Sequence, residues 1–231
     1  MLAIVSSDNS YVKELLEKFM ISKEQCPNLS EVYKCKYNNH EFIIGVLGYG
    51  KVNIGSSLRF LYDRYNIKAV VVIGTAGSIT DTNDIFSCVI ANSSLQFDVD
   101  FMPNGYQSAQ LPGLSKSMYK ADVDLSDCIK RASNLCGVNY QEGVIASSDM
   151  FVSNYNLANS IRREYDALAV DTESGNIGQF CFINDISYAS VKVISNFANN
   201  NGIKQYNLYD DESSIIVQRI ADKFLKDFYE A

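Results

Sequence analysis

The fold is decided by a junction between a strand and a helix, which reads Ala169-Val170-Asp171-Thr172-Glu173-Ser174-Gly175-Asn176-Ile177-Gly178. The apolar residues up to Asp171 predict a strand, and the segment Ser174–Phe182 predicts a helix. Glu173 therefore follows the carboxyl end of a strand. Because open α/β folds bind their ligands at that edge of the sheet, the junction predicts a carboxylate that faces a ligand.

Two other apolar runs also end in polar residues. They read Val72-Ile73-Gly74-Thr75-Ala76-Gly77-Ser78 and Val191-Lys192-Val193-Ile194-Ser195-Asn196-Phe197-Ala198-Asn199-Asn200. Gly74 and Gly77 allow the chain to turn sharply, which leaves backbone amides and the Thr75 hydroxyl facing a ligand. The motif is neither G-x-G-x-x-G nor a phosphate-binding P-loop, since no Lys-Ser/Thr pair follows it. Together the three strand ends indicate one binding site.

Composition and charge limit the classes of function. The chain has 231 residues, of which 47% are hydrophobic and 20% are charged, so we expect it to fold as a single domain over residues 1–231. Its net charge of -7 argues against nucleic-acid binding and against a polybasic membrane-surface protein. We therefore expect a small-molecule partner, no nucleic acid and no membrane.

The sequence indicates neither a cofactor nor a targeting signal. The six cysteines lack C-x-x-C spacing, and no His, Cys and carboxylate cluster has metal-ligand spacing, so we expect no metal, no organic cofactor and reduced thiols. The start of the chain lacks a basic leader, and no apolar stretch reaches the length of about 18 residues that spans a bilayer. A cytoplasmic location is therefore expected. The one histidine, His40, is expected in an exposed turn.

Short apolar runs alternate with segments of helical period, which predicts an α/β fold with a mostly parallel or mixed sheet covered by helices. The predicted strands are Leu2–Ser6, Glu31–Lys36, Glu41–Leu47, Ala69–Gly74, Ser87–Asn92, Val144–Ser148, Leu168–Asp171 and Ala189–Ser195. The predicted helices are Tyr11–Phe19, Ile54–Tyr65, Leu125–Leu135, Asn156–Glu164, Ser174–Phe182 and a last one from Asp211 to Tyr229. Asn199–Asn207 has the composition of an exposed loop, and Gln96–Lys116 that of a long functional loop.

Several motifs occur in a fixed order along the chain. They are Gly45–Asn53, Asp98–Asp100, Gln110–Gly113, Ser147–Val152, Val170–Glu173 and Ile194–Asn196. In this order they resemble the nucleoside phosphorylase/nucleosidase superfamily and, within it, the bacterial 5′-methylthioadenosine/S-adenosylhomocysteine nucleosidases. The resemblance extends from Met1 to the last helix. It implies a three-layer αβα sandwich around a mixed central sheet and hydrolysis of the bond between ribose and purine, with roles in methionine salvage and nucleoside catabolism.

The resemblance also implies a homodimer. The loop around Phe97, Phe101 and Tyr106 is rich in aromatic residues, and an apolar surface of this kind is typical of an interface. In the relatives this loop helps to close the site of the neighbouring subunit.

The resemblance assigns roles to individual residues. The glutamate matching Glu173 holds the ribose 2′-hydroxyl, and its charge favours a transition state that resembles an oxocarbenium ion. The residue matching Phe151 stacks on the purine, and the backbone at Val152 pairs with the purine edge. The relatives usually carry methionine at the position of Thr172, so the threonine implies a smaller and more polar pocket. The predicted substrate-binding set is completed by Thr75, Lys192 and Ser195.

Three positions depart from the pattern of the relatives. Tyr11 stands where a glutamate activates the water, Asn196 where an aspartate protonates purine N7, and Lys192 where the relatives have arginine. A phenol is a poor base at neutral pH, and an amide cannot transfer a proton. Loss of one general acid or base costs about 10²–10⁴ in rate. Glu14 is an alternative base if the first helix is shifted by one turn.

The acceptor of the sugar is expected to be water. Phosphorylases of the superfamily bind phosphate with a glycine-bearing N-terminal turn and arginines, because guanidinium groups match phosphate geometry. The corresponding Ser6-Ser7-Asp8-Asn9 contains neither, and Arg59 and Arg64 are expected on a solvated helix face. Three alternatives stay open beside the nucleosidase: a hydrolase of 6-oxopurine (hypoxanthine or futalosine-like) nucleosides, indicated by Asn196, a weakly active or non-catalytic nucleoside-binding relative, and a phosphorylase.

Overall fold

A mixed sheet of ten strands forms the centre of the computed structural model, which describes residues 1–26 and 31–230. The strands are β1 (Leu2–Ser6), β2 (Met20–Glu24), β3 (Glu31–Tyr37), β4 (His40–Val46), β5 (Ala69–Ser78), β6 (Cys88–Gln96), β7 (Tyr119–Lys120), β8 (Tyr140–Ser147), β9 (Ala167–Asp171) and β10 (Ser187–Phe197). The helices are α1 (Lys13–Phe19), α2 (Lys51–Tyr65), α3 (Val123–Leu135), α4 (Tyr155–Tyr165), α5 (Ser174–Ile183) and α6 (Gly202–Glu230).

The sheet is partly closed on itself. β5 pairs in parallel with β1 and β10, and β10 also pairs antiparallel with β6. β6, β8 and β9 follow in parallel, and β9 returns to pair antiparallel with the end of β5 through Gly77 and Val170. The remaining strands β1, β4, β3 and β2 extend the sheet as an open edge. This closure brings the carboxyl ends of β5, β9 and β10 together.

Both faces of the sheet are covered by helices. Alternate residues of β1 and β5 face opposite sides, as the period of a strand requires. Ile4 and Ile73 pack against α1, α3 and α6, whereas Val5 and Val72 pack against α2 and α5. The predicted three-layer αβα sandwich around a mixed sheet is therefore confirmed.

Two strands were not predicted from the sequence. β2 begins at Met20, directly after α1, so no glycine or proline separates the helix from the strand. It also lies at the edge of the sheet, where Met20 and Ile21 are exposed, and the alternation of buried and exposed residues is lost. β7 has only two residues, which is too short to give a pattern.

The long C-terminal helix begins earlier than predicted. α6 starts at Gly202, so the loop prediction for Asn199–Asn207 was wrong from Gly202 onward. The first turns of α6 cover a cavity and face solvent, so many of their residues are polar. They therefore lack the apolar stripe from which a helix is predicted. A Cβ atom on Gly202 would lie 2.8 Å from the carbonyl oxygen of Phe197, so the glycine allows the helix to begin against the end of β10. The predicted helix at Tyr11 is likewise a short 3-10 turn, and α1 begins at Lys13.

The cysteines, His40 and the helices can also be compared with the features expected from the sequence. The six cysteines, all within the described ranges, form no disulfide. His40 is exposed at the start of β4, where its ring stacks on Tyr229 at a centroid distance of 4.7 Å. Among the helices that the structure describes, none has the length and apolar character needed to cross a bilayer.

Candidate active site

A cavity opens where the ends of β5, β9 and β10 meet. Its walls come from Ser7, Tyr11, Tyr49, Thr75, Ala76, Gly77, Met150, Phe151, Val152, Val170, Asp171, Thr172, Glu173, Ser195, Asn196 and Tyr206. The structure thus brings together all the site residues predicted from the sequence except Lys192. The cavity has a carboxylate end, formed by Ser7, Tyr11, Thr75, Thr172 and Glu173, and an aromatic end, formed by Phe151, Val152 and Asn196.

Asp171 fixes the turn that carries Glu173. Its carboxylate accepts hydrogen bonds from the backbone amides of Glu173 (3.3 Å) and Ser174 (3.2 Å), and from the hydroxyls of Ser147 and Ser174. These amides begin α5, so the negative charge also lies at the positive end of the helix dipole. Glu173 is held in place by this turn and is only 3% exposed.

Lys192 forms a buried ion pair behind the cavity wall. Its ammonium contacts Glu173 Oε1 and lies 3.2 Å from Asp171 Oδ2. Burial alone would lower the pKa of Lys192, but the two carboxylates raise it above its usual value, so the residue is charged. A Cβ atom on Gly74 would lie 3.0 Å from Lys192 Nζ, so the glycine makes room for the pair. Lys192 therefore contacts Glu173, and not the cavity.

Both oxygens of Glu173 have partners on the protein. The Thr172 hydroxyl donates to Oε2 at 2.6 Å, and the Ser7 hydroxyl donates to Oε1 at 3.4 Å, where Lys192 also binds. All these groups are donors, so they fix the orientation of the carboxylate. Oε2 has one protein partner, so it can accept a further hydrogen bond from a ligand hydroxyl.

Tyr11 and Thr75 meet a carboxylate that the sequence analysis missed. The Thr75 hydroxyl donates to Asp210 Oδ1 at 2.6 Å, and the Tyr11 hydroxyl lies 3.2 Å from both oxygens of Asp210. The two hydroxyls are 2.9 Å apart. Asp210 is 199 residues from Tyr11 in the chain, and it lies on α6 in a segment without an apolar period. No local pattern could have indicated it.

Glu14, the alternative base considered from the sequence, lies outside the site. It is exposed on α1 and lines a separate depression with Lys18 and Gln218. Tyr206, from the same polar part of α6 as Asp210, does reach the cavity. Its hydroxyl is 3.5 Å from that of Tyr11, and its ring meets Phe151 edge-on at 5.5 Å.

At the aromatic end of the cavity one ring is exposed. Phe151 is 47% exposed, whereas Val152 beside it is buried. A bulge at Ser195, where β10 slips against β5, re-aims the following side chain and places Asn196 on the cavity wall. Its Nδ2 would lie 3.0 Å from a Cβ atom on Gly77, so the amide fits because this neighbour has no side chain.

The Asn196 amide retains one free donor. The Ser195 hydroxyl donates to Asn196 Oδ1 at 3.2 Å, and Asn196 Nδ2 donates to the carbonyl of Phe197 at 3.2 Å. An amide nitrogen has two hydrogens, so one N–H remains for a ligand. The aromatic end therefore combines a flat apolar ring with a directed donor.

The chain is similar to known proteins in both sequence and fold. A family model described as the phosphorylase superfamily matches residues 2–229. The chain is 24% identical over 218 residues to the 5′-methylthioadenosine/S-adenosylhomocysteine nucleosidase of Staphylococcus haemolyticus, which covers 91% of this chain and 95% of the relative. In fold it is similar to S-adenosylhomocysteine nucleosidase of Streptococcus pyogenes, with a TM-score of 0.92, 23% identity and coverage of 98% and 96% of the two chains. It is also similar to futalosine hydrolase of Helicobacter pylori, with a TM-score of 0.91, 22% identity and coverage of 98% and 97%.

Proposed function

Because the chain belongs to the phosphorylase superfamily, we propose that it is a purine nucleoside N-ribosyl hydrolase of the 5′-methylthioadenosine/S-adenosylhomocysteine nucleosidase type. The observation that carries the proposal is the Glu173 carboxylate, which Lys192, Thr172 and Ser7 hold at one end of a cavity whose other end has an aromatic ring and an amide. In this arrangement the carboxylate end takes the ribose and the aromatic end takes the purine.

The chemistry of the carboxylate end suits cleavage of a glycosidic bond. As the bond between C1′ and the purine lengthens, positive charge develops on the sugar. A carboxylate that is already oriented and shielded from water stabilises that charge without reorganising, and such electrostatic stabilisation supplies most of the rate enhancement in many enzymes. Glu173 meets this condition because Lys192, Thr172 and Ser7 hold it.

Water is the acceptor that the charges favour. No lysine or arginine is among the described residues that line the cavity, whereas Asp171 and Glu173 are, and Asp210 lies directly behind Tyr11 and Thr75. A phosphate dianion would meet these carboxylates without a guanidinium or ammonium to bind it. Neutral water meets no such barrier.

A hydrolase of 6-oxopurine nucleosides is the second candidate, and Asn196 supports it. Its free N–H matches the acceptors N7 and O6 of hypoxanthine, whereas its Oδ1 already accepts from Ser195. The fold does not choose between the bases, because a futalosine hydrolase and an S-adenosylhomocysteine nucleosidase resemble the chain equally well.

Base release from a panel of nucleosides tests the proposal. We would incubate the protein with methylthioadenosine, S-adenosylhomocysteine, adenosine, inosine and futalosine, each with and without phosphate, and measure free base by chromatography. The expected result is release that does not depend on phosphate. Glu173→Gln, purified in parallel, excludes a contaminating nucleosidase, and Glu17→Gln on the exposed face of α1 is the matched control.

Each other result of this assay has a definite meaning. Binding of a nucleoside without release of base would identify a non-catalytic relative. Formation of ribose 1-phosphate that depends on phosphate would identify a phosphorylase. Preferential cleavage of inosine or futalosine would select the 6-oxopurine alternative.

A homodimer is the proposed assembly. The segment after β6 leaves Phe101, Met102 and Tyr106 exposed by 37%, 50% and 37%, and exposed apolar groups of this kind often mark an interface. Sedimentation should give twice the mass of the chain, and replacing Met102 with Asp should shift the equilibrium toward the monomer. The cytoplasmic location stays a prediction from the sequence.

A further inference from the structure

Tyr11 is the weakest part of the site as a catalyst, because it stands where a base is required. Burial and the nearby charge of Asp210 raise the pKa of the Tyr11 phenol above its usual value, so it holds its proton at any working pH. A protonated phenol cannot take a proton from water unless it passes its own proton on. The question is therefore where that proton can go.

The hydrogen bonds of Tyr11 and Thr75 lead to a single acceptor. Each hydroxyl has one proton, and the Thr75 proton is directed to Asp210 Oδ1 at 2.6 Å. Tyr11 can then donate to Asp210 at 3.2 Å, or to Thr75 at 2.9 Å. In both arrangements Tyr11 and Thr75 each donate one hydrogen bond, and Asp210 only accepts. The chain of hydrogen bonds therefore ends at Asp210.

The same network orients a water molecule. Both hydroxyls line the cavity, and in the arrangement in which each donates to Asp210 their protons point away from the cavity. Their oxygen lone pairs are therefore available to accept from a water in the cavity. A water bound in this way would direct its protons at Tyr11 and Thr75 and its own lone pair toward the middle of the cavity, where the proposed function places the sugar.

The surroundings of Asp210 suit a proton acceptor. Burial raises the pKa of its carboxyl, the exposed Asp211 raises it further, and hydrogen bonds from Thr75, Tyr11 and Tyr206 lower it, with a net upward direction. Among the described residues no cation forms an ion pair with Asp210. The titratable groups that face it are thus two tyrosines and one further aspartate. A carboxylate without a positive neighbour is a stronger base than one that is paired.

On the basis of the proposed function, we propose that Asp210 receives the proton that the attacking water loses, relayed through the hydroxyls of Tyr11 and Thr75. The water oxygen bonds to ribose C1′ while the bond from C1′ to the purine breaks and its electron pair goes to the base. One water proton moves to Tyr11 or Thr75, and the proton of that hydroxyl moves to Asp210. Asp210 then releases its proton to solvent, and the purine takes up one proton from solvent.

Asp210 thereby supplies the carboxylate that is missing at position 11, from another element of the fold. It acts through Tyr11 and Thr75 and does not contact the sugar or the base, so it is a positioning residue for the water and the end of the relay. Glu173 does not serve in its place, because Lys192, Thr172 and Ser7 hold its oxygens and the proposed function gives its remaining acceptor position to the ribose hydroxyl.

The test compares Asp210→Asn with Asp211→Asn on the nucleoside that the wild type cleaves best. Both changes remove one negative charge from adjacent positions of α6, but Asp211 is exposed and its side chain forms no hydrogen bond to the described residues of the site. We expect Asp210→Asn to lower kcat by about 10²–10⁴-fold, with little change in KM. Asp211→Asn should keep the wild-type kcat at pH values above the acid limb, where Asp210 is ionised in both proteins.

The pH profile separates a relay from a structural role. Asp210 accepts a proton only when ionised, so the rate should fall as pH drops through its pKa, on a limb that lies above the ordinary aspartate range. Asp210→Asn should lose this limb, and Asp210→Glu should keep it with partial activity. Tyr11→Phe combined with Asp210→Asn should be no slower than the slower single variant, because residues that act as a unit are not additive.

Binding of formycin A, a C-nucleoside that cannot be hydrolysed in this way, shows whether each variant is folded. If Asp210→Asn does not bind it, the comparison of Asp210→Glu with wild type decides the question through the acid limb. Wild-type kcat in Asp210→Asn, or a slow variant that keeps the acid limb, overturns the relay and leaves the proposed function intact. A wild-type protein that releases no base from any nucleoside overturns both.

Discussion

The carboxylate end and the aromatic end of the cavity are built on different principles. At the carboxylate end, buried charges hold one another, since Lys192 lies between Asp171 and Glu173. The partly buried Asp210 accepts hydrogen bonds from the hydroxyls of Tyr11 and Thr75. At the aromatic end, the half-exposed ring of Phe151 and the amide of Asn196 line the cavity, and neither side chain is ionisable.

This difference separates rate from recognition. A buried, oriented charge stabilises a developing charge but has little preference among uncharged substituents. An open apolar surface with one donor discriminates between flat molecules by their hydrogen-bonding edge. We infer that changes at the carboxylate end lower kcat or stability, whereas changes at the aromatic end alter KM and the choice of base.

The largest effect is expected from Lys192→Met, on stability. The change leaves the buried carboxylates of Asp171 and Glu173 without their cation, and removal of one partner from a buried ion pair costs about 3–5 kcal/mol. Denaturant unfolding measures the loss. Lys130→Met, which removes the exposed pairs to Asp127 and Glu142, is the control and should change the free energy of unfolding little. Equal losses in both variants would show that the buried pair has no special role.

The next effect is expected from Glu173→Gln, on kcat. Removing one preorganised electrostatic group costs about 10²–10³-fold in kcat. Lys192 keeps Asp171 as a partner, so the variant should stay folded. Initial rates at saturating nucleoside measure the change, and full activity in the variant would assign the chemistry to another group.

Phe151→Ala sharpens the comparison at the other end. Stacking of a base on an aromatic ring is worth about 1–3 kcal/mol by alanine substitution, so we expect KM to rise by the corresponding factor while kcat changes less. The ring is half-exposed, and the fold should tolerate its loss. A fall in kcat as large as that of Glu173→Gln would contradict the division between the two ends.

The smallest effect is expected from Asn196→Asp, on the choice of base. The change replaces a donor by an acceptor or acid at one hydrogen bond, which is worth about 1 kcal/mol, or about fivefold in relative kcat/KM. The ratio of methylthioadenosine to inosine cleavage measures it, and we expect the ratio to rise. An unchanged ratio would mean that Asn196 does not contact the base.

The two ends also differ in how far the sequence could predict them. Glu173 could be placed at the cavity because a strand-to-helix junction is a local pattern, and Phe151 and Val152 because their motif resembles one of the family. Asp210 was missed because its contacts with Tyr11 and Thr75 join distant parts of the chain, and its helix begins without an apolar period.

The contacts of Lys192 could not be predicted from the sequence either. Its residue type and its place at a strand end suggested contact with substrate, but only the fold shows that it is fully buried and pairs with two carboxylates. Eight of the ten strands and most helices were predicted because they depend on local periodicity. β2 and the start of α6 were not predicted. Their residues face solvent or the cavity and not the core, so they lack the apolar periodicity that the prediction requires.

The central claim is that Glu173 holds the ribose 2′-hydroxyl while the glycosidic bond breaks. It is tested most directly by a cycle of two enzymes and two substrates, with wild type and Glu173→Gln acting on a nucleoside and on its 2′-deoxy analogue. A hydrogen bond to a charged group is worth about 1.5–3 kcal/mol, so the wild type should lose that much in transition-state stabilisation on the deoxy substrate. Glu173→Gln should lose little transition-state stabilisation when the 2′-hydroxyl is removed, because the variant has no carboxylate for that hydroxyl to bind. Equal losses of kcat/KM in both enzymes would show that the carboxylate and the hydroxyl do not interact, and would contradict the account.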